Sequence, residues 1–226
     1  IVLLNSEFRI QLVWLRMLES APNLTEQVYN AIVDEICDGS LAAGTHLVQE
    51  RLAERYGISR QPIQQAMSRL KADGMVEEFG RRGLFVAPLD AARMREHYDV
   101  RAALDGWATK TAAERMTDDA SLCAEFERDG RAILEAGESA VQSENVPDQL
   151  SCDYRFHALI YQASGNSMIA STCEPHWRFL RRAMGAVLRN VEKPEEIWRQ
   201  HRAIFDAIIA GNAEAAERLV IDHDIN

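Results

Sequence analysis

Two short apolar stripes joined by Tyr56-Gly57-Ile58-Ser59 constrain this chain more than any other feature of its sequence. In the first stripe Leu52 and Ala53 face inward from a helix expected over Gln49–Tyr56. Gly57 stops that helix, because the residue past a helix end often takes the left-handed conformation that glycine adopts without strain. In the second, Ile63, Ala66, Met67 and Leu70 recur at helical spacing, Ser59 is the expected cap, and Gly74 ends the run. Pro62 falls in the first turn, where its missing N–H costs nothing. A turn this short makes the two helices cross. Upstream, Val28, Ile32 and Ile36 predict a third helix, opened by Asn23-Leu24-Thr25-Glu26 and stopped by Asp38-Gly39-Ser40. Downstream, residues 75–79 and 84–86 read as strands around Gly80-Arg81-Arg82-Gly83, a hairpin closed by Pro88.

Beyond Asp90 only helix-type spacing remains. It covers 90–115, 117–136, 148–163, 167–189, 194–210 and 213–224, with breaks at Thr117-Asp118, 137–147, Gly165-Asn166, 190–194 and Gly211-Asn212. The chain of 226 residues is long enough for two ordinary cores. The expected fold is mainly α. A winged helix-turn-helix of three helices and a β-hairpin spans 23–89, and an all-α bundle of six to seven helices spans 90–226. Residues 1–22 are expected to form an arm or short helix broken by Pro22.

A helix-turn-helix places the start of its second helix in the DNA major groove. Here that start carries Arg60, Gln61, Gln64 and Gln65, and arginine forks onto guanine as glutamine does onto adenine. Ser59 and the helix N-terminus suit a phosphate, and Arg81, Arg82 and Gly83 form the tip of a wing. The net charge of −10 excludes a generally basic coat. Residues 55–82 nevertheless hold six basic against three acidic side chains, a local surplus of three. Gly39-Ser40-Leu41, Gly44, Leu47 and the run from Glu50 to Ile63 resemble the signature of GntR-type regulators, as does the tail from Leu70 to Val86. One departure stands out. Where that family usually has Pro-Val-Arg-Glu-Ala, this chain has Pro62-Ile63-Gln64-Gln65-Ala66, so the arginine contact of the family would come from Gln64.

In the helical part, Asp153 and His157 are four residues apart and share one helix face. His201 and His223 lie 22 residues apart across the Gly211-Asn212 turn, which antiparallel helices could bring together at one end. Three imidazoles and a carboxylate suit Zn²⁺, with Ni²⁺ or Mn²⁺ as alternatives, although each residue alone reads as an ordinary surface or core side chain. The four cysteines are scattered without a CxxC pair and are expected to stay reduced. No apolar run reaches about 18 residues, and Ile1-Val2-Leu3-Leu4 lacks the shape of a signal peptide, so no membrane partner is expected.

Tyr98 to Asp105, Asp153 to Ile160, Gly165-Asn166, His201 to Ile204 and His223 together resemble the FCD effector domain that follows the winged helix in one GntR branch. The resemblance implies that Asp153, His157, His201 and His223 ligate a divalent transition metal. It implies that Arg101, with Asn166, binds the effector, the guanidinium forking onto a carboxylate; pairing of Arg101 with Asp105 at i, i+4 is the alternative. Asp105 is assigned no function, and Trp107, Trp177 and Trp198 are read as core or interface. A fatty acyl effector is not expected, because the acyl-CoA-binding branch lacks this cluster. The implied protein is a cytoplasmic homodimeric repressor, nucleoid-associated when bound to double-stranded operator DNA, answering to a small organic acid and not an enzyme. The rival reading is a metal-dependent hydrolase or lyase fused to a DNA module, since an open metal position could activate water.

Overall fold

The computed structural model describes residues 24–80, 83–188 and 194–225. The expected N-terminal arm and the wing-tip residues Arg81 and Arg82 lie outside the described residues.

The N-terminal unit follows the sequence closely. Helix α1 (Leu24–Cys37) buries Val28, Ile32 and Ile36 against α2 (Gln49–Tyr56) and α3 (Arg60–Ala72), and Ile63, Ala66, Met67 and Leu70 complete that core. Gly57 ends α2 at φ 66°, its N–H reaching the Glu54 carbonyl. Ser59 occupies the capping position of α3 in extended backbone, yet its side chain makes no capping bond. The wing contains more than a hairpin. A two-residue strand β1 (His46–Leu47) joins β2 (Val76–Glu78) and β3 (Leu84–Val86) in an antiparallel sheet of order β1-β3-β2, with Leu47 opposite Leu84 and Val76 opposite Val86.

Six helices build the second unit: α4 (Ala91–Asp118), α5 (Ala120–Gln142), α6 (Val146–Ser164), α7 (Ser167–Leu188), α8 (Pro194–Ile209) and α9 (Ala213–Ile225). Asp90, Asp119 and Asn145 cap α4, α5 and α6 by accepting from first-turn N–H groups. Helix α4 lies at the centre, packed on α6, α7, α8 and α9. All four cysteines are free thiols.

The break expected at 137–147 begins six residues too early. Helix α5 runs through Gly137 to Gln142, because this glycine makes room for a neighbour and does not interrupt the helix. A Cβ at Gly137 would stand 2.0 Å from Trp198 Cη2, and one at Gly130 would stand 2.3 Å from Phe205 Cε2. Helix propensity alone favours Gly137→Ala by about 1 kcal/mol. Overlap with an indole buried in the core acts the other way and is the larger effect, at about 1–3 kcal/mol for overpacking. Gly137→Ala should therefore lower stability in urea unfolding; an unchanged or raised midpoint would remove this account of the glycine.

The two units touch along α1 and α7. Arg181 pairs with Asp34 at 2.6 Å, and Arg178 Nε lies 3.4 Å from Asp73, the residue that ends α3. Tyr29 donates to the same Asp73 at 2.6 Å. Between the units lies a cleft of about 300 Å³, lined by Tyr29, Arg69, Tyr154, Trp177 and Arg178 among others.

Candidate metal centre and nucleic-acid face

Helices α6, α8 and α9 bring four donors to one point in the bundle core. Asp153 and His157 stand one turn apart on α6, His201 lies mid-way along α8, and His223 lies near the end of α9. One ligand atom from each falls within 4.8 Å of all the others. The imidazole centroids of His201 and His223 are 4.5 Å apart, and that of His157 is 5.6 Å and 5.7 Å from them. Phe156 and Trp198 flank His201, so the pocket wall is aromatic.

The polar atoms of this cluster are under-satisfied in a way that a cation would cure. His201 and His157 are fully buried, and neither ring nitrogen of His201 nor Asp153 Oδ2 has a hydrogen-bond partner. His201 Nε2 stands 3.1 Å from Asp153 Oδ1. Buried polar atoms without partners are expensive, so a packed core keeps them only where something else engages them. His223 Nδ1 donates to Gln200 Oε1 at 2.8 Å, which leaves the Nε2 lone pair facing away from that bond.

Protonation states fit the same role. Burial pushes the His223 imidazole well below its ordinary value, and the neighbouring His201 and His157 add to this. Burial also lowers His157, with the Arg101 guanidinium reinforcing it. For Asp153 burial acts upward, but His201, His157 and Arg101 outweigh it and hold the carboxyl below the usual range. A divalent transition metal takes an ionised carboxylate and imidazole lone pairs, the lowered Asp153, His157 and His223 lean toward those forms, and the donor set of the four residues fits one.

Arg101 on α4 is 1% exposed and fully engaged beside this cluster. Its Nε donates to Asp105 Oδ2 at 3.0 Å, and its NH2 donates to His157 Nε2 at 2.8 Å and lies 3.2 Å from Asp224 Oδ1. A guanidinium can only donate, so His157 carries its proton on Nδ1, 2.9 Å from Asp105 Oδ2. The Trp177 ring lies 3.8 Å from the guanidinium, and its indole N–H donates to the Tyr161 hydroxyl, which in turn donates to Asp105. Burial would raise the Asp105 carboxyl, but Arg101 and His157 hold it down at about 2.

Asp105, assigned no function from the sequence beyond its possible i, i+4 pairing with Arg101, is therefore the hub that holds Arg101 and His157, and Trp177 roofs the site. Asp224 is a further residue that the sequence reading missed. The i, i+4 spacing from Arg101 was the available signal for Asp105, whereas Asp224 had none. Asn166 does not join the cluster: it is exposed at the α6–α7 junction, and its Oδ1 accepts from Met168 N at 3.0 Å as a cap.

On the other unit, Arg60, Gln61, Gln64 and Gln65 are exposed at the start of α3. Arg60 pairs with Glu50 at 3.1 Å across the surface, while Gln65 accepts from the Thr25 hydroxyl at 2.8 Å. Gly83 closes the described wing at φ 103°, with the His46 ring nitrogen 2.7 Å from where a Cβ would sit.

The sequence profile described as bacterial regulatory proteins, gntR family, matches residues 24–86, and that of the FCD domain matches 96–225. The HTH-type transcriptional repressor RspR of Escherichia coli K12 is 26% identical over 200 residues, covering 88% of this chain and 85% of its own. The regulator YdhC of Bacillus subtilis is 26% identical over 198 residues, 87% of this chain and 86% of its own. Among solved structures, E. coli McbR/YncC superposes with a TM-score of 0.74 at 19% identity, over 90% of this chain and 94% of its own. No helix among the described residues is long and apolar enough to cross a membrane.

Proposed function

Because the chain belongs to the GntR family of DNA-binding transcriptional regulators and carries its FCD effector domain, we propose that a small organic acid, bound beside a divalent metal in the bundle, sets its affinity for operator DNA. One observation carries this reading: Asp153, His157, His201 and His223 converge in the core with buried donor atoms left unpaired. Asp153 Oδ and the imidazoles of His201 and His223 would hold the ion, and His157 would join them by exchanging the Arg101 N–H at its Nε2 for the metal. Zn²⁺ comes first, with Ni²⁺ or Mn²⁺ able to take the same donors. When bound, the ion supplies a fixed positive charge that attracts an acid's oxygen. Arg101 supplies the guanidinium for the acid's carboxylate. The enzyme reading has no observation in its favour, and the named relatives are regulators.

Helix α7 connects this site to the DNA reader. Trp177 stacks on Arg101 and meets His157 edge-on, while the next residue, Arg178, reaches Asp73 at the end of α3. Pro175 lies in the same turn and has no N–H to donate to the helix ladder, which weakens α7 just where it would have to yield. A shift of Trp177 by ligand would thus move the residue that anchors the recognition helix. The protein would work in the bacterial cytoplasm as a homodimer, and the exposed Val100 and Trp107 on α4 offer an apolar stripe for a second copy. Release of DNA by the acid is the favoured sign, in keeping with the name of RspR as a repressor.

A panel of organic acids, screened by thermal shift with and without chelator, should contain one whose stabilisation needs the metal. That acid should then change operator affinity about 5- to 150-fold. Arg178→Ala should bind metal and acid as before but bring the ratio of operator affinities with and without acid close to one. A full response in Arg178→Ala would remove α7 from the path, and no metal-dependent acid at all would remove the sensing role.

A further inference from the structure

Arg101 is too well supplied with carboxylates to be a vacant effector anchor. Asp105 holds one edge of the guanidinium at 3.0 Å, while Asp224, from a different helix, comes within 3.2 Å of NH2. The two carboxylates are not equivalent. Asp105 lies mid-helix on α4 and is gripped by Arg101 and Tyr161. Asp224 is the next-to-last residue of α9, followed by an exposed Ile225, and although its side chain is 1% exposed neither oxygen has a donor in hydrogen-bond line. A buried carboxylate held this loosely costs free energy, and it sits at a helix end, where opening is easiest.

We propose that Asp224 is a tethered stand-in for the effector's carboxylate: it occupies the Arg101 subsite until a ligand carboxylate displaces it, and its release frees the end of α9. The proposal rests on the reading of Arg101 as the acid's anchor and adds the residue that competes for it. An incoming carboxylate keeps the guanidinium paired, while Asp224, swinging out with Ile225 beyond the metal-facing His223, regains its hydration. A tethered group acts at an effective concentration of about millimolar or more, so a monocarboxylate alone competes poorly. An acid that also offers an oxygen to the metal wins. Asp224 therefore selects for ligands with two acidic or chelating groups, and it couples their binding to the end of α9, where His223 is its neighbour.

Acetate is the minimal probe. Calorimetric titration of the Zn²⁺-loaded full chain with sodium acetate should give at least tenfold tighter binding for Asp224→Ala than for the native chain. Asp224→Asn, which keeps the volume and removes the charge, should fall between them and serves if the alanine variant does not fold. Adding Arg101→Met to either variant should reverse the gain, which separates the Arg101 subsite from direct ligation to the metal. Equal affinities in native and Asp224 variants would overturn the proposal and leave Arg101 as an anchor. Tight acetate binding that ignores Arg101, or none in any variant, would overturn both the proposal and that reading of Arg101. Metal content measured alongside should be the same in every protein.

Discussion

Replacing His201 with alanine should empty the metal centre, raising the dissociation constant for Zn²⁺ at least a hundredfold. Outer-shell losses alone cost metal sites about 10- to 100-fold, and His201 is placed as a direct donor with both ring nitrogens unpaired in a closed core. The loss should be visible as metal per chain after dialysis. It should also appear as stability, since a ligand present at about a thousand times its dissociation constant contributes about 4 kcal/mol. For a chain of this size that amounts to a melting shift of about 8–16 °C on chelation of the native protein, and almost none for His201→Ala. The pH dependence has a definite sign. His157 and His223 have folded values depressed below 6.5, so the unfolded chain takes up protons first. Metal-free stability is therefore complete above about pH 6.5 and declines as pH falls toward the lowered folded values. One metal per chain retained in His201→Ala would show that the ion, if any, sits elsewhere.

The winged helix-turn-helix was more legible than the candidate metal centre for a physical reason. In the reader the decisive contacts are local: Gly57 and Ser59 set the turn, and the stripes of α2 and α3 meet across it. The strand β1 escaped notice because two residues cannot display alternation, and its place is set by pairing with β3, 39 residues away at His46 and Phe85. In the bundle the candidate metal donors were visible only where helical spacing or a turn related them. Arg101 illustrates the remainder. Its partner Asp105 lies on its own helix, but His157, Trp177 and Asp224 come from α6, α7 and α9, and their approach depends on how each helix is rotated. Neighbouring residues on a helix point about 100° apart, so His223 as a donor would have assigned Asp224 to another face. Both instead meet the same polar core, Asp224 at Arg101 and His223 beside His157. Glycine misled in the same way. Gly137 has the composition of a stop, and only the arrival of Trp198 from α8 reveals it as a packing contact.

The second large effect should come from the face of α3. Arg60→Ala should weaken binding to an operator selected from random duplexes by about 5- to 150-fold, the range expected when one bidentate base contact worth about 1–3 kcal/mol is lost. The fold should not suffer, because Arg60 is exposed and its ion pair with Glu50 has both side chains more than half exposed to solvent. That pair has a consequence for the free protein: Glu50 must release the guanidinium before a base can take it. Glu50→Gln should therefore not mimic Arg60→Ala. Gln64 is the sharper test of specificity. As glutamine it suits adenine, and as the family's arginine it would suit guanine. Gln64→Arg should shift the selected base at one position of each half-site from adenine toward guanine. It should also steepen the salt dependence of binding by about one unit per added phosphate-facing charge. If instead the arginine variant selects the same sequence, Gln64 faces the backbone, and Arg60 with Gln61 must carry the reading. In that case an unchanged salt slope would show that position 64 does not reach DNA at all, leaving the departure from the family pattern without effect on the operator.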